Sequence, residues 1–139
     1  MRQSSYTIGA SQKKLRLIAG DHFISLPLKV VKANVLSALD ENEVLKAGTL
    51  ITKDGKAVTT VAAVEGVSAA TTDAWGVVYQ DVSFKGSMSP DATPNNATEV
   101  VPVFVHGVLY ESEVKFSADS VLGGKNAEKA ALHQIIFGE

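Results

Sequence analysis

Three kinds of side chain in this sequence could do chemistry: scattered histidines, a knot of carboxylates, and a run of cations near the start of the chain. His22, His106 and His133 stand far apart, and there is no Cys to join them. No pair has metal-ligand spacing, and the lack of Cys excludes a zinc ribbon, a thiol nucleophile and a disulfide framework. His106 sits beside Gly107 in an apolar run and reads as a hydrogen-bonded structural residue; His22 and His133 read as surface or packing residues. Asp40, Glu41 and Glu43 would offer oxygens to a cation, but the spacing and glycine of an EF-hand loop are missing. A solvated acidic loop is the simpler reading. Asp81 is a lone carboxylate in an apolar run, without the positioned partner that acid–base catalysis needs. Nucleophile-elbow, P-loop and dinucleotide motifs are absent from the sequence. These residues predict neither an enzyme nor a metal or cofactor site.

The cations are unevenly placed. Residues 1–32 hold Arg2, Lys13, Lys14, Arg16, Lys29 and Lys32 against Asp21 alone, while the rest of the chain holds 7 basic and 14 acidic residues. A basic arm on an acidic body suits an anionic surface, or pairing with the body itself. Tyr6 and Phe23 are not interleaved with the charges as a nucleic-acid stacking platform requires, so direct nucleic-acid binding is not expected.

The elements that would position these groups are strands. Residues 75–84 and 99–110 are apolar and rich in β-branched side chains, and the stretch 85–96 between them is full of Gly, Ser, Pro and Asn. That pattern predicts two strands flanking a polar loop. Residues 22–35 are β-prone but contain Pro27, which predicts an edge strand; Pro102 likewise predicts an edge or a bulge in the second long strand. Residues 34–47 invite a short helix. Asp54-Gly55, between Leu50-Ile51 and Ala57-Val58, predicts a type I′ hairpin. Residues 59–72, small and apolar, read as strand and loop. After Gly123-Gly124, Asn126 is a candidate N-cap for a short helix over 127–134, with Ala130, Ala131 and Leu132 toward the core; residues 135–137 then form a final strand or the end of that helix.

The chain has 139 residues, 45% of them hydrophobic, enough for one domain with its own core. No apolar run reaches the roughly 20 residues of a membrane helix, and residues 1–20 lack the apolar centre of a signal peptide. The expected architecture is an arm over residues 1–20 and a single β-rich domain over 21–139.

In order, KAGTLITKDGKAV, AWGVVYQDV and EVVPVFVHGVLYESEV, followed by a short helix and an apolar strand, resemble the tailed-phage head decoration proteins, relatives of the phage lambda head decoration protein and of head-fibre base domains. The matching positions are Ala47-Gly48-Thr49-Leu50 with Gly55-Lys56-Ala57-Val58, then Trp75-Gly76-Val77-Val78 with Gln80-Asp81-Val82, then residues 101–108 with Gly107. The resemblance implies a mainly β fold: a small β-clip or β-tulip-like barrel or sandwich, with one short C-terminal helix and an extended N-terminal arm. It implies a non-enzymatic virion protein, made in the host cytoplasm, that binds the outer face of a capsid and stabilises the mature shell. The partner implied is the major capsid protein, with a homotrimer or a monomer as the binding unit and no membrane contact. Arg2, Tyr6, Lys13, Lys14, Arg16, Leu17 and Ile18 are then the expected capsid-binding residues. Two other readings compete. A receptor- or carbohydrate-binding module of a fibre or baseplate would present Trp75, Tyr79 and Tyr110 as a platform. An enzyme on a related scaffold would need phosphate-binding arginines in a groove, and only Arg2 and Arg16 exist.

Overall fold

Two prolines facing each other determine how the main sheet is laid out. The computed structural model describes residues 22–87, 89 and 95–138. The expected capsid-binding residues, Arg2 through Ile18, lie outside these, as does half of the 85–96 loop. In chain order the strands are β1 (Ile24–Val31), β2 (Val44–Leu45), β3 (Leu50–Ile51), β4 (Thr60–Val61), β5 (Thr71–Thr72), β6 (Gly76–Val78), β7 (Val82–Ser83), β8 (Thr98–Tyr110) and β9 (Ile135–Gly138). A 3-10 helix spans Lys32–Ala38, another Glu111–Glu113, and the α-helix α1 spans Gly124–Ala131. The fold is mainly β, a small sandwich of open sheets with one short C-terminal helix, as expected.

Strand β8 is the spine. It pairs antiparallel with β1 and β6 and parallel with β9, and β3 continues the sheet beyond β6. Pro27 in β1 lies opposite Pro102 in β8. Residues facing each other in an antiparallel pair exchange either both bonds or neither, and two prolines have no N–H to exchange. This is therefore a non-bonded pair, and Pro27 turns its missing donor to the outer side of β1, where none is needed. Pro102 turns its own gap toward β6. Its carbonyl accepts from Tyr79 N–H at 2.8 Å, but it has nothing to return, and the β6–β8 ladder ends at Val78 and Val103. Two expectations are corrected here. Pro102 is inside the central strand, neither at an edge nor at a bulge. Residues 75–84 are not one strand but β6 and β7, with the break at Tyr79, where Pro102 cannot donate.

Both faces of β8 are buried. Val101 and Val103 pack with Val30, Val35, Leu45, Ile51, Val78 and Phe84 on one side. Phe104 and Leu109 pack with Leu50, Val77, Leu132 and Ile135 on the other. Strict alternation would separate Phe104 from Leu109. The register slips at Ile24/Ser25, where β8 carries Val105 as an extra residue between partners Phe104 and His106. That bulge flips the parity and returns Leu109 to the face of Phe104. Gly107 follows at φ 137°, and a Cβ there would strike the Phe104 ring, so the ring lies over bare backbone.

The turn at Asp54-Gly55 also differs from expectation. Only Gly55 is left-handed, at φ 77°, whereas type I′ needs positive φ at both residues. Thr52 N–H donates to Lys56 O at 3.0 Å, Gly55 N–H to Thr52 O at 3.1 Å, and Lys56 N–H to Thr52 Oγ1 at 3.0 Å. This is a three-residue loop closed by a left-handed glycine. Its arms meet only at an Ile51–Ala57 bridge, because β3 spends its pairing on β6. Pairing of β1 ends at Val31, and the helical tendency of the next stretch appears early, as the 3-10 turn Lys32–Ala38.

Candidate functional site

Helix α1 begins at Gly124, capped by Gly123 at φ 71° with no side-chain cap, so Asn126 lies inside the helix and is not its N-cap. Ala130 is exposed, Ala131 half-buried and Leu132 buried. The inward stripe runs Gly124, Glu128, Leu132, at four-residue spacing, and Ala130 falls opposite it. Residues 135–137 are strand β9.

That stripe contains a carboxylate. Glu128 is only 1% exposed, yet it is fully engaged. Its Oε1 accepts from Thr60 Oγ1 at 2.9 Å and from the Ser117 hydroxyl, and its Oε2 accepts from Ser117 N–H at 3.0 Å. Thr60 Oγ1 also lies 3.0 Å from Thr72 Oγ1, across the β4–β5 pair. One carboxylate therefore ties three elements together: α1, the β4–β5 hairpin and the segment after the Glu111–Glu113 turn. Burial of a carboxylate is tolerated only with such partners. Sequence reading missed Glu128. Its position four residues before Leu132, in the stripe a helix must bury, was the available signal.

Above the clamp stands a projecting hairpin. Thr59 N–H donates to Asp73 Oδ1 at 2.7 Å, and Ala63 N–H to Leu122 O at 2.8 Å. A tight turn follows, Val64 N–H to Ser68 O at 2.9 Å and Val67 N–H to Val64 O at 3.0 Å. The outer surface is aliphatic: Val61, Val64, Val67 and Leu122 are 58, 56, 82 and 56% exposed. Glu65 is the sole charge between residues 61 and 70. Beside the clamp a pocket of about 350 Å³ is lined by Ser37, Thr49, Thr60, Lys115, Phe116 and Ser117 among others. Thr49 contributes a buried hydroxyl with no partner among the described residues.

The other candidates have local duties. Asp40 Oδ1 accepts from Asn42 N–H and Val44 N–H, both at 2.9 Å. The Val44 N–H bond is the largest influence holding its carboxyl below the ordinary value. Glu43 pairs with Lys32 at 2.7 Å. Asp81 accepts from Ala47 N–H at 2.7 Å and lies 3.6 Å from Lys46. Glu111 bonds Lys125 at 2.9 Å and Lys129 at 3.2 Å, and these hydrogen bonds, Lys125 first, lower its pKa. His22 and His106 meet edge to face, with ring centroids 5.7 Å apart, while His133 is exposed. Tyr79 packs among Phe23 and Phe104, Trp75 against the opposite core, and Tyr110 is half-buried, so these three do not form an open aromatic platform. Among the described residues no group of three or more His, Cys, Asp or Glu could hold a metal ion, and no helix is long and apolar enough to cross a membrane.

Comparison with known proteins finds no match among protein-family models, curated proteins or solved structures.

Proposed function

We propose that the protein is a structural component of a virion, a decoration protein that binds the outer surface of a phage capsid through the major capsid protein and stabilises the mature shell. The observation that supports this reading most is where the resembling segments fall. The segment 47–58 supplies β3 and its tight turn, 75–78 supplies β6 and 101–108 lies in β8, and these three strands are neighbours in one sheet, in the order β3, β6, β8. Three of the segments that carry the resemblance therefore adjoin one another in the main sheet, while the fourth, Gln80-Asp81-Val82, leads into β7, which pairs with β2. The asymmetry between the basic first 32 residues and the acidic remainder agrees with an arm that reaches for a separate partner.

The mechanism is linkage. A protein that binds the assembled shell, and not its separated subunits, stabilises the shell by mass action. A homotrimer, each subunit contributing an arm, would add avidity without new contacts. The test is thermal release of DNA from filled shells of the cognate capsid protein, prepared without this protein. Adding it should raise the release temperature in a saturable way, and no change at saturating concentration would refute the proposal.

A further inference from the structure

The hairpin over residues 61–70 carries aliphatic side chains that its own fold leaves uncovered. Val61, Val64 and Val67 on the hairpin and Leu122 beside it are exposed aliphatic side chains, with Ala63 joined to Leu122 through the backbone and Glu65 as the only charge between residues 61 and 70. At their exposures these four residues present on the order of 400 Å² in sum, the size of the largest apolar patch on an ordinary monomer, which is often functional. A self-standing protein interface takes about 800 Å² from each partner. The tip is therefore too small to hold two copies of this chain together by itself, and its size suits one anchor among several in a multivalent contact. Its near-neutrality selects an apolar depression over a charged or nucleic-acid surface.

The base of the hairpin is as fixed as its tip is bare. The Thr60–Thr72 hydroxyl contact and the Thr59 N–H to Asp73 bond close it, and the Thr60–Glu128 bond holds it against α1. A projection held rigid before binding loses little entropy when it docks. We infer that this hairpin tip is a second capsid anchor, seated in an apolar depression of the major capsid protein and acting beside the basic arm. The inference rests on the decoration reading and assigns that reading a contact surface away from the residues first expected to carry it.

The experiment is a binding titration on cognate shells lacking the protein, comparing the full chain with V64T/V67T. Threonine keeps the β-branched shape and removes apolar surface at two exposed positions, so the fold should be retained, with an unchanged melting temperature as the control. Sedimentation velocity reports the oligomeric state of both proteins off the shell. The expected result is roughly tenfold or greater loss of affinity, with the oligomeric state unchanged. Equal affinity of the two proteins would overturn the anchor while leaving decoration standing. A changed oligomeric state in the free variant would make the tip a self-association surface and also overturn the anchor. Failure of the full chain to bind the shell would overturn the decoration reading, and the anchor with it.

Discussion

Removing the Glu128 carboxylate should loosen three elements at once. In Glu128→Ala the Ser117 N–H, the Ser117 hydroxyl and the Thr60 hydroxyl all lose their acceptor. Thr60 has a replacement, since its oxygen already lies 3.0 Å from Thr72 Oγ1. Two donors on Ser117 are then left without a protein partner. Each unsatisfied buried donor costs about 1–3 kcal/mol, and the adjoining pocket can admit water to part of the site. The net expectation is a loss of about 3 kcal/mol, or a melting temperature lower by about 10 °C for a domain of this size. Glu128→Gln should cost about 1 kcal/mol or less, because its amide can turn to accept from Ser117 N–H and donate to the two hydroxyls, which rotate to accept. Urea unfolding of E128A, S117A and the double variant completes the cycle. The two single changes share the Ser117 hydroxyl–Glu128 bond, while S117A keeps its N–H on Glu128, so the double variant should be more stable than additivity predicts, by about 1 kcal/mol. A cost for E128A below about 1 kcal/mol, or strict additivity, would refute the clamp.

Gly107→Ala should destabilise by about 1–3 kcal/mol, since the new methyl meets the Phe104 ring at a φ of 137° that L-residues rarely adopt; thermal melts check this. Phe104→Ala empties the centre of one core and should cost about 3–5 kcal/mol in chemical denaturation. Acid should destabilise the fold as well. Asp40 and Glu111 have folded-state pKa values below their ordinary ones, so the unfolded chain binds more protons as the pH drops. Their contribution is present above the ordinary carboxylate range and is lost as pH falls through the folded values, below about pH 4. A stability profile flat from pH 5 to pH 2 would contradict that sign.

The sequence made the class of fold readable and left its wiring hidden. Alternating β-branched runs and glycine punctuation were enough to find the long strand at 99–110, the edge strand around Pro27 and the short C-terminal helix. The register was not readable, because it depends on Pro27 meeting Pro102 across 75 positions, and only that meeting explains why β6 stops at Val78. Likewise, Asp54-Gly55 signalled a turn, but its type was decided by β3 pairing with β6 instead of with the other arm of the hairpin. At the candidate site, the small apolar stretch 59–72 was readable as strand and loop. Its exposure and its anchorage on Glu128 follow from tertiary contacts with α1 that no local pattern encodes.

The central claim is tested most directly by co-sedimentation of the purified full chain with expanded cognate shells that lack it. Decoration predicts saturable binding at a fixed ratio to capsid subunits, and that ratio distinguishes a trimer at threefold positions from monomers distributed over the lattice. No binding at low ionic strength, where the charges of the basic arm are least screened, would contradict the account.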